Sequence, residues 1–308
     1  MTLAGEYRNF LITQEQLRIL ETYATAKHMY EARNILERFK ISSYNFHIDT
    51  NKMRAELLDK KIVSTTEADS LVEELLSVDV NEEPEHDLIV QGKNIIYGKY
   101  RRTIYNLYLL RALGTDRDIA ICAMRYSSII SGGQQWNIPT SVYRVAVKKY
   151  GVTLEGFASP FNSQLLRFHA THPILICTLF RDTDWIFKSV GSFFNFDDME
   201  GISGFINPPY IEDVMLKCVE HCHQLLTSTT SCRFIITVPL WDNAEFYKEL
   251  LNSRFLEHMR QLRSGKYFYQ DSTNNKKILA HFPTAVFILS KNKHKEDWDD
   301  LFDAFSTH

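Results

Sequence analysis

The chain has 308 residues, of which 44% are hydrophobic and 24% are charged, enough for one large core and a smaller domain. Its formal net charge of −3 excludes a uniformly basic nucleic-acid coat, so any nucleic-acid site must be a local basic patch. No apolar run reaches the length of a membrane span and the N-terminus is not signal-like, which predicts no membrane partner. The five cysteines show no paired framework, which favours an intracellular location in the nucleus or cytoplasm.

Residues 1–125 are predicted to form an N-terminal helical domain. Thr13–Gln16 resembles a capping box, and the apolar positions of Leu17–Leu36 follow the spacing of one long amphipathic helix. Thr66–Asp69 is predicted to open a second helix, whereas the acidic stretch Asn81–Asp87 is predicted to be a solvated loop.

A third helix, predicted from about Tyr97 to Leu113, combines basic side chains with tyrosines. Such interleaving is typical of a surface that follows RNA phosphates and stacks on bases. The alternative is an amphipathic helix with buried tyrosines and solvated arginines. The candidates for RNA contacts, here and near the C-terminus, are Lys99, Arg101, Arg102, Lys276 and Lys277.

From residue 126 to residue 308 the pattern changes to strands that alternate with helices. The apolar runs of strand length are Val152–Phe157, Leu175–Leu179, Ile202–Ile206, Phe234–Leu240 and Thr284–Leu289. Helices are predicted at Thr140–Tyr150, Glu212–Leu226 and Ala244–Leu262. This alternation predicts an α/β fold with a doubly wound, mostly parallel sheet, in which ligands bind at the carboxyl ends of the strands.

Asn207-Pro208-Pro209-Tyr210 lies at such an end, because Ile202–Ile206 precedes it. The two prolines lack amide hydrogens and fix φ, so the chain leaves the sheet as a stiff loop. The side-chain amide of Asn207 and the carbonyl of Pro208 are two acceptors suited to a planar NH2 group, and Tyr210 can stack on the ring that carries it. The motif therefore predicts methylation of an exocyclic amine, although the same four residues also occur in ordinary turns.

Cys218–His223 contains cysteine and histidine at close spacing and could be taken for part of a metal site. Cys218 and Cys222 lie one turn apart on a predicted helix, and no second ligand pair has suitable spacing. We therefore predict core-facing cysteines and no metal site.

Three further segments resemble the cofactor motifs of adenine N6-methyltransferases. Ser131–Thr140 resembles the segment that supports the methionine part of S-adenosylmethionine, and Val152–Asn162 resembles the first cofactor motif. Gly191–Phe196 occupies the place of the Gly-Asp-Phe segment that lies over the cofactor adenine. With Phe180–Asp184 and the Asn-Pro-Pro-Tyr loop, the chain from about residue 125 to 245 resembles the phosphorylated-CTD-interacting-factor family of cap-specific adenosine N6-methyltransferases.

The resemblance implies a Rossmann-like class I methyltransferase sheet. It also implies methyl transfer from S-adenosylmethionine to N6 of the 2′-O-methylated adenosine beside the 7-methylguanosine cap, so that the partner is the capped 5′ end of mRNA. Carried over to this sequence, the catalytic residues are Asn207, Pro208, Pro209 and Tyr210. The predicted cofactor-binding residues are Gln134, Trp136, Asn137, Pro139, Glu155, Ala158, Ser159, Pro160, Asn162, Asp182, Asp184, Ser192 and Phe193.

Two departures from the family pattern limit what the resemblance implies. Ser192 stands where general adenine methyltransferases have an aspartate for the cofactor's N6, so other groups must recognise the cofactor adenine. We find no WW module, so docking to the RNA polymerase II tail is unsupported. The sequence is expected to be a catalytic fragment or a compact relative, such as a viral protein acting in the host cytoplasm.

Two alternatives remain open from the sequence. One keeps the chemistry but changes the substrate to uncapped RNA, DNA or a protein glutamine amide. The other is a catalytically silent RNA-binding subunit with the same fold, against which the intact Asn-Pro-Pro-Tyr loop argues.

Overall fold

The computed structural model describes residues 2–45, 49–81, 85–129, 136–292 and 297–306. Contacts divide the chain into two compact units, Met1–Leu107 with Gly114–Gly133 and Tyr108–Leu113 with Gln134–His308. The predicted boundary between residues 125 and 126 lies within a helix, Asp116–Ser127, that belongs to the first unit. No helix in the described ranges combines the length and the apolar character needed to cross a membrane.

The described part of the first unit consists of helices and a small antiparallel sheet. The helices are α1 (Leu3–Tyr23), α2 (Met29–Asn45), α3 (Thr50–Asp59), α4 (Thr65–Ser77), α5 (Leu107–Arg111, which continues into the second unit) and α6 (Asp116–Ser127). The strands, in spatial order, are β1 (Ile89–Gln91), β2 (Asn94–Tyr97) and β3 (Tyr100–Thr103).

The prediction of one long helix beginning near Thr13 is wrong. Helix α1 begins at Leu3 with Thr2 as its N-cap, and α2 begins only at Met29. The buried Thr13 lies inside α1 and donates a hydrogen bond to the carbonyl of Ser128 (2.7 Å). The apolar spacing continues across the break because both helices pack against the same core.

The third helix, predicted from about Tyr97 to Leu113, is helical only over Leu107–Arg111 among the described residues. The prediction is wrong at its start, because β2 and β3 form a hairpin there. Its turn contains Gly98, whose φ of +55° lies in the left-handed region, and a Cβ at Gly98 would lie 2.6 Å from the Tyr7 hydroxyl. Tyr97 and Tyr100 flank the turn and are each only 2% exposed. A tyrosine-rich run with β-branched neighbours therefore packs inward as a hairpin, and these two tyrosines are not a stacking surface.

Lys40 is a largely buried lysine in the core of the first unit. Its Nζ donates to Thr13 Oγ1 (2.7 Å) and to the carbonyl of Ser128 (2.9 Å). Burial disfavours the ammonium and lowers the pKa of Lys40 to about 8, from 10.5.

A pH-dependent contribution to stability is expected from Lys40. Between pH 8 and pH 10.5 the unfolded chain binds more protons at this site than the folded chain. The free energy of unfolding therefore increases as the pH rises through this range. The gain is about 1–3 kcal/mol. Thermal unfolding at pH 8 and pH 10 should reveal it as a difference between the wild type and Lys40→Met. Identical pH profiles for the two proteins would contradict the shifted pKa.

The second unit is built on a seven-stranded sheet. In spatial order its strands are β10 (Leu256–Leu262), β13 (Thr284–Ser290), β9 (Cys232–Pro239), β8 (Ile202–Ile206), β5 (Val152–Ala158), β6 (Leu175–Thr178) and β7 (Ser189–Gly191). Strand β13 is antiparallel to both of its neighbours, whereas all other pairings are parallel. With the helices between the strands this is a Rossmann-like α/β fold, so the predicted fold class is confirmed.

Helices accompany this sheet: α7 (Thr140–Tyr150), α8 (Arg181–Asp184), α9 (Glu212–Ser228), α10 (Glu245–Leu251) and α11 (Asp299–Ser306). The core includes Cys218 and Cys222 of α9, both 0% exposed, with Phe234 and Ile236 of β9. The prediction that these cysteines face the core is confirmed. The prediction that Ala244–Leu262 is one helix is wrong, because the chain turns after α10 and returns as strand β10.

A second, smaller sheet of this unit has the order β12 (Lys277–Leu279), β11 (Phe268–Asp271) and β4 (Trp136–Asn137). Strand β11 is antiparallel to both neighbours, and Gln270 is the partner of Asn137. The small sheet thus joins the segment before α7 to a hairpin more than a hundred residues later in the chain.

Candidate active site

The Asn-Pro-Pro-Tyr loop follows β8, near the middle of the large sheet and between β5 and β9. Parallel strands end at the same edge, so this loop lies at the edge where such folds bind ligands. Pro208 is buried and Asn207 is half-buried, and the chain enters α9 only at Glu212.

Asn207 carries the most informative atom of the site. Its Oδ1 is buried and has no hydrogen-bond partner among the described residues. A buried polar atom left unpaired costs about 1–3 kcal/mol, and such atoms are uncommon in folded proteins. An acceptor kept in this state beside a stiff proline loop is suited to a ligand that brings its own N–H donor.

The side chain of Tyr210 is held in place by the hydroxyl group of a second tyrosine, Tyr269. Its Oη lies 2.5 Å from the Oη of Tyr269, and its ring meets Phe282 edge-on with centroids 5.8 Å apart. Burial raises the pKa of the Tyr210 phenol, so the side chain is a neutral ring. Stacking of Tyr210 on a target base stays a prediction.

Glu155, in β5, is a buried carboxylate bonded to four donors of the chain. Its Oε2 accepts from Ser163 Oγ (2.6 Å) and from the backbone amides of Gln164 and Leu165 (each 3.1 Å), and Tyr143 donates to the same carboxylate. Burial raises the pKa of Glu155 despite these bonds. Glu155 thus fastens the loop after β5 at the start of a short 3-10 helix, Leu165–Phe168. A direct cofactor contact from this carboxylate stays a prediction.

Gly156, the next residue of β5, has almost no space beside it. A Cβ there would lie 2.4 Å from Ile206 Cδ1 and 3.4 Å from Phe193 Cδ2. Phe157 follows, with its ring 5.4 Å from that of Phe193 and 5.6 Å from that of Phe194. The absence of a side chain at Gly156 therefore lets Ile206 of β8 pack directly against the backbone of β5.

Ser159 and Asn162 form two hydrogen bonds to each other across the loop that follows Ala158 and contains Pro160. The Ser159 amide donates to Asn162 Oδ1 (2.7 Å) and the Asn162 amide donates to Ser159 Oγ (3.2 Å). The carbonyl of Asn162 accepts from Nδ2 of Asn137 (2.6 Å). The loop is therefore hydrogen-bonded to the short strand β4.

Asn137 provides the second unpaired acceptor. It is 5% exposed, and its Oδ1 has no hydrogen-bond partner among the described residues. The chemistry of this atom fits a donor group such as the ammonium of the cofactor's methionine part.

The neighbours of Asn137 lie around the start of α7. Pro139 is the N-cap residue, and Thr140 Oγ1 donates to Gln164 Oε1 (2.6 Å) and Gln270 Oε1 (3.1 Å). The ring of Trp136 lies 6.3 Å from that of Tyr269. Gln134 lies outside the described residues.

The acids predicted after β6 differ in environment. Asp182 is exposed, whereas Asp184 is fully buried and accepts a hydrogen bond from Thr183 (3.0 Å). The buried carboxylate of Asp184 is part of the local fold, whereas that of Asp182 is on the surface. Whether either acid contacts the cofactor stays a prediction.

Ser192 and Phe193 follow the edge strand β7. Ser192 Oγ accepts from the amide of Phe194 (3.4 Å), which caps a short 3-10 helix. Phe193 is 1% exposed and its ring lies 5.0 Å from that of His221. The structure thus brings Phe193 to the end of β5, beside Gly156 and Phe157.

The predicted RNA contacts lie in two separate units. In the first unit Lys99 and Arg101 are exposed, but Arg102 is half-buried and donates to the carbonyl of Ala123 (3.1 Å). In the second unit Lys276 and Lys277 are exposed at the start of β12. A role for these five residues in RNA binding stays a prediction.

Sequence reasoning missed a group of residues that support the site. They are Tyr267, Tyr269, Gln270, Phe282 and Thr284. Alternating tyrosines around Phe268 indicate a strand, but no local signal relates that strand to the Asn-Pro-Pro-Tyr loop.

Fold and site together define a Rossmann-like α/β protein. Its site contains an unpaired hydrogen-bond acceptor, Asn207 Oδ1, and aromatic rings at the end of strand β5. The family model described as phosphorylated CTD interacting factor 1 WW domain matches residues 115–290, more than half of the chain. The chain therefore belongs to this family. Although the description names a WW domain, the matched residues include every strand of the large sheet.

Curated relatives are similar over part of their length. The mRNA (2′-O-methyladenosine-N(6)-)-methyltransferases of Mus musculus and Homo sapiens are each 29% identical over 175 residues, 54% of this chain and 24% of theirs. The match thus spans about a quarter of these relatives. A crystal structure of a SAM-dependent O-methyltransferase from Thermotoga maritima is 11% identical, covering 52% of this chain and 67% of that one, with a TM-score of 0.31. A similarity this low carries no weight here.

Proposed function

We propose that this protein transfers a methyl group from S-adenosylmethionine to N6 of an adenosine in RNA. The substrate we propose is the 2′-O-methylated adenosine beside the 7-methylguanosine cap. The name of the mouse and human relatives specifies N6 of 2′-O-methyladenosine in mRNA, and the position beside the cap is our proposal from the family resemblance. The observation that carries the proposal is the buried, unpaired Oδ1 of Asn207 at the carboxyl end of β8.

The chemistry needs an acceptor at this position. N6 of adenine is a poor nucleophile, because its lone pair is delocalised into the purine. In the proposed complex Asn207 Oδ1 and the carbonyl of Pro208 accept the two N6 hydrogens, which favours the pyramidal form of the nitrogen. As positive charge develops on N6, these oxygens stabilise it more than they stabilise the ground state. Orientation by a rigid loop lowers the barrier without a strong base.

Residues at the ends of β4, β5 and β7 would hold the cofactor. Asn137 offers its unpaired acceptor to the methionine part. When bound, S-adenosylmethionine supplies an electrophilic methyl group on a sulfonium. Asp182 is the exposed acid that we assign to the cofactor ribose, by the family resemblance.

RNA is the substrate class that the relatives' name supports. Lys99 and Arg101 in one unit and Lys276 and Lys277 in the other are the exposed cations that we propose for phosphate contacts. The cap guanine carries a positive charge, so its recognition calls for aromatic rings with a nearby acid.

Two measurements test the proposal. Calorimetric titration with S-adenosylhomocysteine is expected to give saturable binding, and RNA beginning with adenosine is expected to accept a methyl group on N6 only when capped. Equal methylation of capped and uncapped RNA would remove the cap from the proposal and leave the amine chemistry intact. Cofactor binding without transfer to any RNA would favour a silent RNA-binding subunit.

A further inference from the structure

A chain of hydroxyl groups runs from the Asn-Pro-Pro-Tyr loop into the core of the second unit. The Oη of Tyr210 lies 2.5 Å from that of Tyr269, which lies 3.2 Å from Oγ1 of Thr284. Tyr267 donates to the same threonine oxygen, at 2.5 Å, and can also reach the carbonyl of Phe282, at 2.7 Å. Thr284 is 0% exposed in β13, so the chain ends on a fixed strand of the large sheet.

Ring contacts restrict Tyr210 further. Phe282 meets the Tyr210 ring at an interplanar angle of 87° and stacks on Tyr269 at 29°, with centroids 5.9 Å apart. The ring is therefore fixed at its hydroxyl end by Tyr269 and along one side by Phe282. A tyrosine held at both places presents its plane at one angle.

Tyr269 belongs to a strand that also contacts the segment predicted to hold the cofactor. The next residue, Gln270, pairs with Asn137 in the small sheet, and its side chain accepts from Thr140 Oγ1 at the start of α7. Tyr269 and Gln270 thus join two parts of the site that lie far apart in sequence.

We propose that Tyr269 is a positioning residue, which holds the ring of Tyr210 at the angle needed to stack on the target adenine. The inference rests on the proposed function, because it assigns Tyr210 to the base. Loss of the Tyr269 hydroxyl leaves the Tyr210 ring in place but free to tilt. The productive orientation of the base is then populated less often.

The variant Tyr269→Phe tests the inference. For methyl transfer to capped RNA we expect a three- to tenfold loss of kcat/KM, the size expected for one hydrogen bond. The dissociation constant of S-adenosylhomocysteine is expected to stay within twofold. Tyr210→Phe removes the same tether from the other side, so the double variant is expected to be no worse than the poorer single variant.

Tyr150→Phe is the matched control. This variant also loses one hydroxyl hydrogen bond within the same unit, from Tyr150 to the carbonyl of Asp297 (2.6 Å). Tyr150 is the last residue of α7 and lies at the opposite end of that helix from Thr140. We expect its kcat/KM to match the wild type. Unchanged kcat/KM in Tyr269→Phe, or additive losses in the double variant, would overturn the inference about Tyr269. If the wild type is active in the same assay, the proposed function still stands. A wild type that methylates no RNA overturns both.

Discussion

Replacing Asn207 by alanine is expected to lower kcat for methyl transfer by at least about 10²–10³-fold, the range seen when one preorganised transition-state contact is removed. Stability should not fall, and is expected to rise by up to about 1–3 kcal/mol, because the variant removes a buried Oδ1 that has no hydrogen-bond partner among the described residues. Single-turnover kinetics with saturating RNA and cofactor, together with thermal unfolding of the same sample, measure both quantities.

Ser203→Ala is the control for this variant. Ser203 lies on β8, the strand that precedes Asn207, and its Oγ is likewise buried without a hydrogen-bond partner among the described residues. Removing it deletes an unpaired oxygen away from the loop, and turnover should match the wild type. Wild-type turnover in Asn207→Ala would refute the role of the amide oxygen.

Gly156→Ala is expected to damage both stability and activity. The new methyl group would lie 2.4 Å from Ile206 Cδ1, and Ile206 is 0% exposed, so its side chain must move within a packed core. Overpacking of this kind costs about 1–3 kcal/mol. Because Ile206 directly precedes Asn207, we also expect a roughly 10- to 100-fold loss of kcat through misplacement of the loop.

Ile206→Val tests whether the contact between the new methyl group and Ile206 Cδ1 causes these losses, because the substitution deletes that Cδ1 atom. The double variant Gly156→Ala, Ile206→Val should be more stable than Gly156→Ala alone and recover part of its turnover. Gly204→Ala, whose Cβ would find its nearest neighbour at 3.3 Å, is expected to be milder. Additive losses in the double variant would exclude the proposed contact. Chemical denaturation and steady-state kinetics on the four proteins decide between these outcomes.

The α/β part of the fold could be predicted from sequence where local pattern and tertiary contacts agree. The predicted Thr140–Tyr150 has the bounds of helix α7, and Asn207 lies at the end of β8 as predicted, because glycine and proline mark both places. Tyr100–Thr103 and Leu256–Leu262 were predicted as parts of helices but form strands β3 and β10, because their apolar residues fit a helix and a strand about equally well. In both cases the partner strand, not the local propensity, decides the outcome.

The support of the site could not be predicted, because it depends on distant pairs. Tyr269 is 59 residues from Tyr210, and no spacing rule relates the two. Glu155 was predicted as a cofactor contact, but the sequence gives no indication of the bonds that Ser163, Gln164 and Leu165 make to it. Burial and hydrogen-bond partners of a carboxylate emerge only from the folded loop.

The position of β13 has a consequence for biosynthesis. This strand is fully buried between β9 and β10, yet both neighbours precede it in the chain. During synthesis one edge of the apolar strand β9 stays unpaired until residues 284–290 have been made. The nascent chain is therefore exposed to mispairing, above all with β10, and to capture by chaperones during that interval. Thr284, on which the hydroxyl chain from Tyr210 ends, arrives only with this last strand.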